Sequence, residues 1–453
     1  MKKTHYLLLF CLSLFLPDCV FSQSTNDTVV TLKQCVDFAL RNQPAVRQAS
    51  IDQEINERDI RIALSAWLPQ VGSSGLYQHY FKGSPLAANV ATTGSSTSTG
   101  SASTGSSSSL REYSALGLQA NQVIYNNDVL QAAKAAKYSR QYYKQNTVSS
   151  QINVVSDVSK AFFDVLLSEK QLDILNQDIV RLQRSLKDAK NRYDAGVTDK
   201  TDYKQATILL NNSLSSRKQT AEAVKSKTAY LKQIMGIPAN HNLSLKYDST
   251  RYEQEASIDT NQRLDVNNRI EYRLLQTQQG LLNVNVSYYK WGFLPSVSAV
   301  GVYNLNYLSN RLSNLYNNAY PNSYAGITLD LPIFTGTKRL QNLSKARLQV
   351  DRNRLDIVNS ENSINTEYVQ SLADYKSNYT NWQLLKENVT LANDVYKVVS
   401  LQYREGIKTY LDVIVSQSDL RTAQLNYYNA LFQLLSSKID LEKSLGILNV
   451  QQN

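Results

Sequence analysis

Residue types that make and break covalent bonds are nearly absent from this sequence. Its three histidines, His5, His79 and His241, stand far apart. No HExxH, CxxC, glycine-rich phosphate loop or G-x-S-x-G occurs. No catalytic centre, metal site or cofactor is expected from it. Charged and tyrosyl groups at matched spacing are present instead. RYDAGVTDKTDYKQA begins at Arg192 and QYREGIKTYLDVIVS at Gln402, and equivalent positions of the two lie 210 apart. Both read Tyr-x-x-Gly and then Val or Ile. Gly196 and Gly406 suit a tight turn at positive φ, which leaves Val197 and Ile407 at an exposed tip. Asp202 and Asp412 follow near the start of the next segment, where a helix N-terminus favours a carboxylate. The chemistry on offer is electrostatic: such groups pair, repel one another or gather counter-ions.

Those groups need elements to hold them. The chain has 453 residues but only 16 Gly and 8 Pro, which argues for long uninterrupted helices. Between Asn127 and Ala195, and again between Thr337 and Glu405, there is neither Gly nor Pro. At 1.5 Å per residue each stretch allows a rod on the order of 100 Å. Leu172, Leu175, Ile179, Leu182, Leu186, Ala189 and Tyr193 step by three and four along the first rod. Trp382, Leu385, Val389, Ala392, Tyr396, Val399 and Tyr403 repeat the pattern 210 positions later. This is the 3.5-residue seam of coiled-coil packing.

The repeat extends further. Gly236 in IMGIP matches Gly446 in SLGIL, and WLPQVGSSGLYQHY from Trp67 matches FLPSVSAVGVYNLNY from Phe293, now offset by 226. An insert accounts for the difference: every residue from Ala91 to Ser109 is Ala, Gly, Ser or Thr. Such a composition has nothing to bury and reads as a solvated loop. The expected organisation is a signal peptide over 1–22 and two structural repeats. The first, 23–250, holds a helix, strands at about 68–81 and 112–124 around a loop at 82–110, a long helix, a tip near 194–200 and a helix. The second, 251–453, holds a helix, strands at about 294–307 and 323–333, a long helix, a tip near 404–409 and a helix.

The signal is read from Lys2 and Lys3, the apolar run Leu7–Leu16 and small-residue cleavage before Gln23. Cys19 offers a rival lipid-attachment site, for which the preceding Asp18 is a poor fit. The mature chain then keeps only Cys35, so no intrachain disulfide is expected. No later stretch has about 18 successive apolar residues, so no transmembrane helix is expected. The formal charge of +10 is scattered, without a basic stripe interleaved with aromatics, and nucleic acid is not an expected partner.

The strands alternate with period two. In SVSAVGVYNLNYL, Val297, Ala299, Gly301, Tyr303, Leu305 and Tyr307 share a face opposite Ser296, Ser298, Asn304 and Asn306, with Val300 and Val302 among the latter. Ile327 and Leu329 oppose Thr328 and Asp330, and Leu116 and Leu118 oppose Gln119. An apolar outside and polar inside fit an outer-membrane strand. Four strands are too few, since such barrels begin at about eight and an open edge in lipid leaves backbone groups unpaired. Copies must combine to close the sheet, and three copies give twelve strands.

Taken together, the paired Leu68–Pro69 and Leu294–Pro295 strand openings, the duplicated helix–Gly-turn–helix unit and the YREGIKTYLDV tip resemble the TolC-type outer membrane efflux factors over nearly the whole mature chain. The resemblance implies a mainly α fold with a small β part. Long antiparallel hairpins would form a periplasmic α-barrel below a trimeric twelve-stranded β-barrel in the outer membrane of a Gram-negative bacterium. It implies a homotrimer and an export duct of a tripartite efflux pump or type I secretion system. The partners would be outer-membrane lipid, a periplasmic adaptor (membrane fusion protein) and an inner-membrane transporter of RND or ABC type. Matched residue by residue, Asp412 takes the place of an acidic ring, Lys408 of a basic tie, Tyr403 of its aromatic partner, and Thr201 and Asp202 of acceptors on the first hairpin, together a periplasmic gate. Val415 stands where a second acidic ring is usual. Gly196, Val197, Gly406 and Ile407 become adaptor-docking tips. The alternative is a periplasmic or surface coiled-coil protein, structural or adhesive, with no channel.

Overall fold

A computed structural model describes residues 29–81, 111–246 and 249–448. The expected signal peptide, Cys19 and the 82–110 loop lie outside these residues. Described helices are α1 (Leu32–Asn42), α2 (Pro44–Ser65), α3 (Asn127–Asp194), α4 (Lys200–Met235), α5 (Ser249–Glu255), α6 (Ile270–Trp291), α7 (Lys338–Arg404) and α8 (Tyr410–Leu445). Strands are β1 (Val29–Val30), β2 (Gln70–His79), β3 (Glu112–Tyr125), β4 (Ser244–Leu245), β5 (Ser296–Ser309) and β6 (Ala319–Asp330). The mainly helical class with a small β part, expected from the sequence, is what forms.

Matching elements have matching lengths. Helices α4 and α8 both have 36 residues, α2 and α6 both have 22, and α3 and α7 have 68 and 67. Each helix of the two hairpins, α3, α4, α7 and α8, stops at a glycine in the left-handed region: Gly196, Gly236, Gly406 and Gly446, at φ of 70°, 73°, 80° and 71°. At each stop the glycine N–H and the next N–H turn back to carbonyls of the last helical turn, as in Gly406 to Tyr403 (3.0 Å) and Ile407 to Gln402 (2.8 Å). A residue with a Cβ resists that conformation, and this closure satisfies carbonyls that the helix end would leave free.

The chain folds as two units, each drawing on both halves of the sequence. The first takes in 29–44, 154–259 and 374–440. Its core is apolar and aromatic: Phe162, Val165 and Leu166 of α3 are fully buried, as are Leu431 and Leu434 of α8. The Phe163 ring meets Tyr252 edge-on at 6.0 Å and Phe432 at 6.2 Å. Helix α1 starts with a capping box in which Thr31 and Gln34 bond each other's backbone N–H groups, and β1 pairs in parallel with β4. Of the two seams, the one on α3 is buried at Leu175, Ile179, Leu182 and Ala189. Of the α7 seam positions only Trp382 is buried, and Leu385, Val389, Ala392, Tyr396 and Val399 remain half-covered.

The second unit takes in 45–153, 260–373 and 441–448. Its sheet runs β2-β3-β5-β6, antiparallel throughout. Register carries the alternation across strands: Leu116 faces Leu305, Leu118 faces Tyr303, Ala299 faces Ile327 and Val297 faces Leu329. Asn304 likewise faces Asn322, and Ser298 faces Thr328. Directly opposed residues share a face, so one face is mainly apolar and its reverse carries most of the polar residues, with Val300 and Val302 among them. A bulge between Val123 and Tyr125 ends the regular β3–β5 ladder. Strand β6 starts at Ala319 and stops at Asp330, whereas expectation ran from 323 to 333; Pro332, with no N–H to give, follows the stop. Among the described residues the outer edges of β2 and β6 have no partner strand. The helices are tied beside the sheet by polar bonds: Arg140 to Glu57 at 2.7 Å and 3.1 Å, Thr277 to Gln145 at 2.8 Å, and buried Arg269 to Glu367 at 2.6 Å and to the Ser444 carbonyl at 2.9 Å. No described helix is long and apolar enough to cross a membrane.

Candidate functional site

Both tips belong to the first unit, and their turns are built alike. Val197 and Ile407, directly after the turn glycines, are 69% and 72% exposed. In such a turn that residue commonly packs back on its own helix, so two apolar side chains are left presented at the tips. The next helices then start three residues past those apolar positions, at Lys200 and Tyr410.

Here the two hairpins part. In the second, Asp412 closes a capping box. Its Oδ2 accepts from the Thr409 backbone N–H (2.9 Å) and hydroxyl (2.7 Å), and its own N–H donates to Thr409 Oγ1 (3.3 Å). Those bonds from Thr409, more than the nearby Lys408 charge, hold the Asp412 carboxyl below the usual aspartate range. In the first, Asp199 is the cap, accepting from the Lys200 N–H (2.5 Å) and the Thr201 hydroxyl (3.2 Å). Asp202, at the position equivalent to Asp412, is therefore not used by the cap. Lys408 lies 3.9 Å from Asp412 Oδ1, one helical turn on.

Tyr403 packs behind the tip. The Arg192 guanidinium sits 4.4 Å from the centre of its ring, and its ring is 5.9 Å from that of buried Tyr410. Tyr410 closes a small core with Ala189 and Ala206 and accepts a hydrogen bond from Ser185 at 3.1 Å. Burial pushes both phenols above their usual range; the charges of Asp202 and Asp188 add to this, while Arg192 opposes it at Tyr403 and the Ser185 bond at Tyr410. Both stay neutral at physiological pH.

Sequence reading missed the charge set above the tip. Asp178 of α3 is 2% exposed. It accepts from Gln417 Nε2 (2.9 Å) and Arg421 Nη1 (3.3 Å) of α8 and from Ser213 Oγ (3.2 Å) of α4. Arg181, one turn along α3, stands 3.6 Å away. The available signal was Asp178 and Arg181 at i, i+3; their partners, far off in sequence, gave none. No cluster of His, Cys, Asp or Glu that could hold a metal occurs among the described residues.

The cap makes a test. Replacing Thr409 by Ala removes the donor and acceptor that start α8 and is expected to loosen that start by about 1 kcal/mol. Amide exchange at 410–413 should speed several-fold, with the body of α8 unchanged. The Asp412 side of the box has a pH signature. A lowered carboxyl contributes fully above the unfolded value of 3.8 and is lost as pH falls through the folded one. Exchange protection at the tip should thus be level from pH 7 to pH 5.

Comparison with known proteins finds a family model, "Outer membrane efflux protein", that matches residues 36–237 and 274–447. The efflux pump outer membrane protein TtgC of Pseudomonas putida is 24% identical over 426 residues, 92% of this chain and 82% of that protein. The outer membrane protein TolC of Vibrio cholerae is 19% identical over 343 residues, 74% of this chain and 77% of that one. Among solved structures, the CmeC outer membrane channel of Campylobacter jejuni superposes with a TM-score of 0.72 at 17% identity, covering 96% of this chain and 92% of that one.

Proposed function

The chain belongs to the outer membrane efflux protein family, and on that premise we propose that it is the outer-membrane channel of a tripartite efflux pump or type I secretion system. The family is one of channel proteins, and the coiled-coil stalk or adhesin reading falls away with that membership. The protein resides in the outer membrane and extends into the periplasm. Three copies join their four-stranded sheets into one twelve-stranded barrel, and their helices continue the duct.

What supports this most is the sheet: a mainly apolar face, and four barrel strands with two open edges among the described residues. Lipid tolerates that arrangement only when the edges are paired. The half-covered seam on α7 fits a neighbouring copy packed beside it. Export is passive, and the energy comes from an inner-membrane transporter of RND or ABC type. A periplasmic adaptor engages the exposed Val197 and Ile407 behind Gly196 and Gly406.

The periplasmic gate is assigned to Asp412, Lys408, Tyr403, Thr201 and Asp202. Lys408 and Asp412 stand apart enough, at 3.9 Å, to exchange partners with a neighbouring copy at little energetic cost, as exposed pairs are weak. Replacing Asp412 and Lys408 together by Ala should raise single-channel conductance in planar bilayers several-fold. Thr409→Ala is the control, because it loosens the same cap and leaves both charges. Unchanged conductance in the double variant, or an equal rise in the control, removes these two residues from the gate.

A further inference from the structure

Beside the tip core, within the first unit, lies a cleft of about 540 Å³. Helix α3 forms one wall, α7 the other, and Val413 and Gln417 of α8 complete the lining. Its charge is lopsided. Arg181, Arg184, Arg192 and Arg404 line it against a single carboxylate, Asp188. Ordinarily such a set is neutralised by acids close by. Here Arg184, Arg192 and Arg404 make no ion pair among the described residues. Arg181 has Asp178 at 3.6 Å, but the two oxygens of Asp178 are already taken by Gln417, Ser213 and Arg421. Its Nε and Nη2 are buried with no hydrogen-bond partner. A guanidinium whose buried N–H groups lack an acceptor is costly, and native proteins seldom leave one.

We propose that this cleft binds a small soluble polyanion bearing phosphate or carboxylate groups, one per protomer. Guanidinium forks match the paired oxygens of such groups and bind them bidentately. Concave walls of one sign concentrate a counter-ion there. The volume suits a small molecule and is too tight for a folded partner. Arg184 and Arg404 supply exposed charge from opposite walls, and Arg181 adds a further guanidinium to the lining. Arg192 is held in place by the Tyr403 ring. Because that ring also packs on Tyr410, an occupied cleft stiffens the start of α8, next to the second tip.

The test is calorimetric titration of the detergent-solubilised full-length protein with pyrophosphate, and separately with citrate, against chloride at equal ionic strength. Saturable binding of either probe is expected, pyrophosphate alone marking a phosphate site and citrate alone a carboxylate one. The double variant Arg184→Gln/Arg404→Gln should weaken it at least tenfold. Both residues are exposed, so the variant keeps its fold, checked by an unchanged helical spectrum. Lys218→Gln/Lys225→Gln removes the same charge from the exposed face of α4 and should leave affinity intact. No saturable binding of either probe, undiminished binding in the arginine variant, or equal loss in the lysine variant overturns the site. The readout is independent of conductance, so its failure leaves the channel reading untouched.

Discussion

Asp178→Ala is expected to cost the protein about 3–5 kcal/mol, the range for removing one partner of a buried ion pair. Asp178 is the joint of three helices: it takes donors from Gln417 and Arg421 of α8 and Ser213 of α4 while itself on α3. Its loss strands Arg421 and Arg181, whose side chains are only 27% and 22% exposed, and leaves the Gln417 amide without its buried acceptor. The effect should appear as a melting midpoint lowered by many degrees in helix ellipticity, with faster amide exchange around 178, 213 and 417–421. Asp178→Leu combined with Arg421→Met, which removes charge from both sides, should recover part of the loss. A single variant that melts like the parent would show that the network is ornamental to stability.

The second large effect separates four turns that look identical in sequence. Gly196 and Gly406 have open space where a Cβ would stand, so Ala at either suffers only the left-handed backbone, about 1–2 kcal/mol. At Gly236 a Cβ would lie 2.7 Å from the Asn42 carbonyl oxygen, and at Gly446 it would lie 2.9 Å from the Asn268 backbone. Backbone cannot swing aside as a side chain does, and forced overpacking adds about 1–3 kcal/mol. Gly236→Ala and Gly446→Ala are therefore expected to destabilise about twice as much as Gly196→Ala and Gly406→Ala, judged by melting midpoints measured side by side. Equal effects at all four would mean that the close approach of these segments is wrong.

The pattern behind this contrast was half legible in the sequence. The four glycines, the glycine-free rods and the period-two strands are local signals, since a turn, a helix and a strand each write their period into neighbouring residues. From them the helix lengths, the hairpins and the strand count could be reasoned. Tertiary neighbours were not legible. Nothing near Asp178 announces Gln417 or Arg421, and nothing near Gly236 announces Asn42. The tip residues show the same limit at close range. Asp412 and Asp202 look equivalent in sequence, yet a Thr at 409 and an Asp at 199 decide that one is drawn into a cap and the other is not. The Arg cleft was invisible because its charges come from α3 and α7, some two hundred positions apart, each unremarkable among scattered basic residues.

The central claim is that the four-stranded sheet is a third of a barrel. The most direct measurement is a cryo-electron microscopy map of the mature protein extracted in detergent. The account predicts three copies around an axis, the outer edge of β2 in one hydrogen-bonded to the outer edge of β6 in the next, and a hollow interior. A single copy whose β2 and β6 edges are paired to each other or covered by its own chain would contradict it.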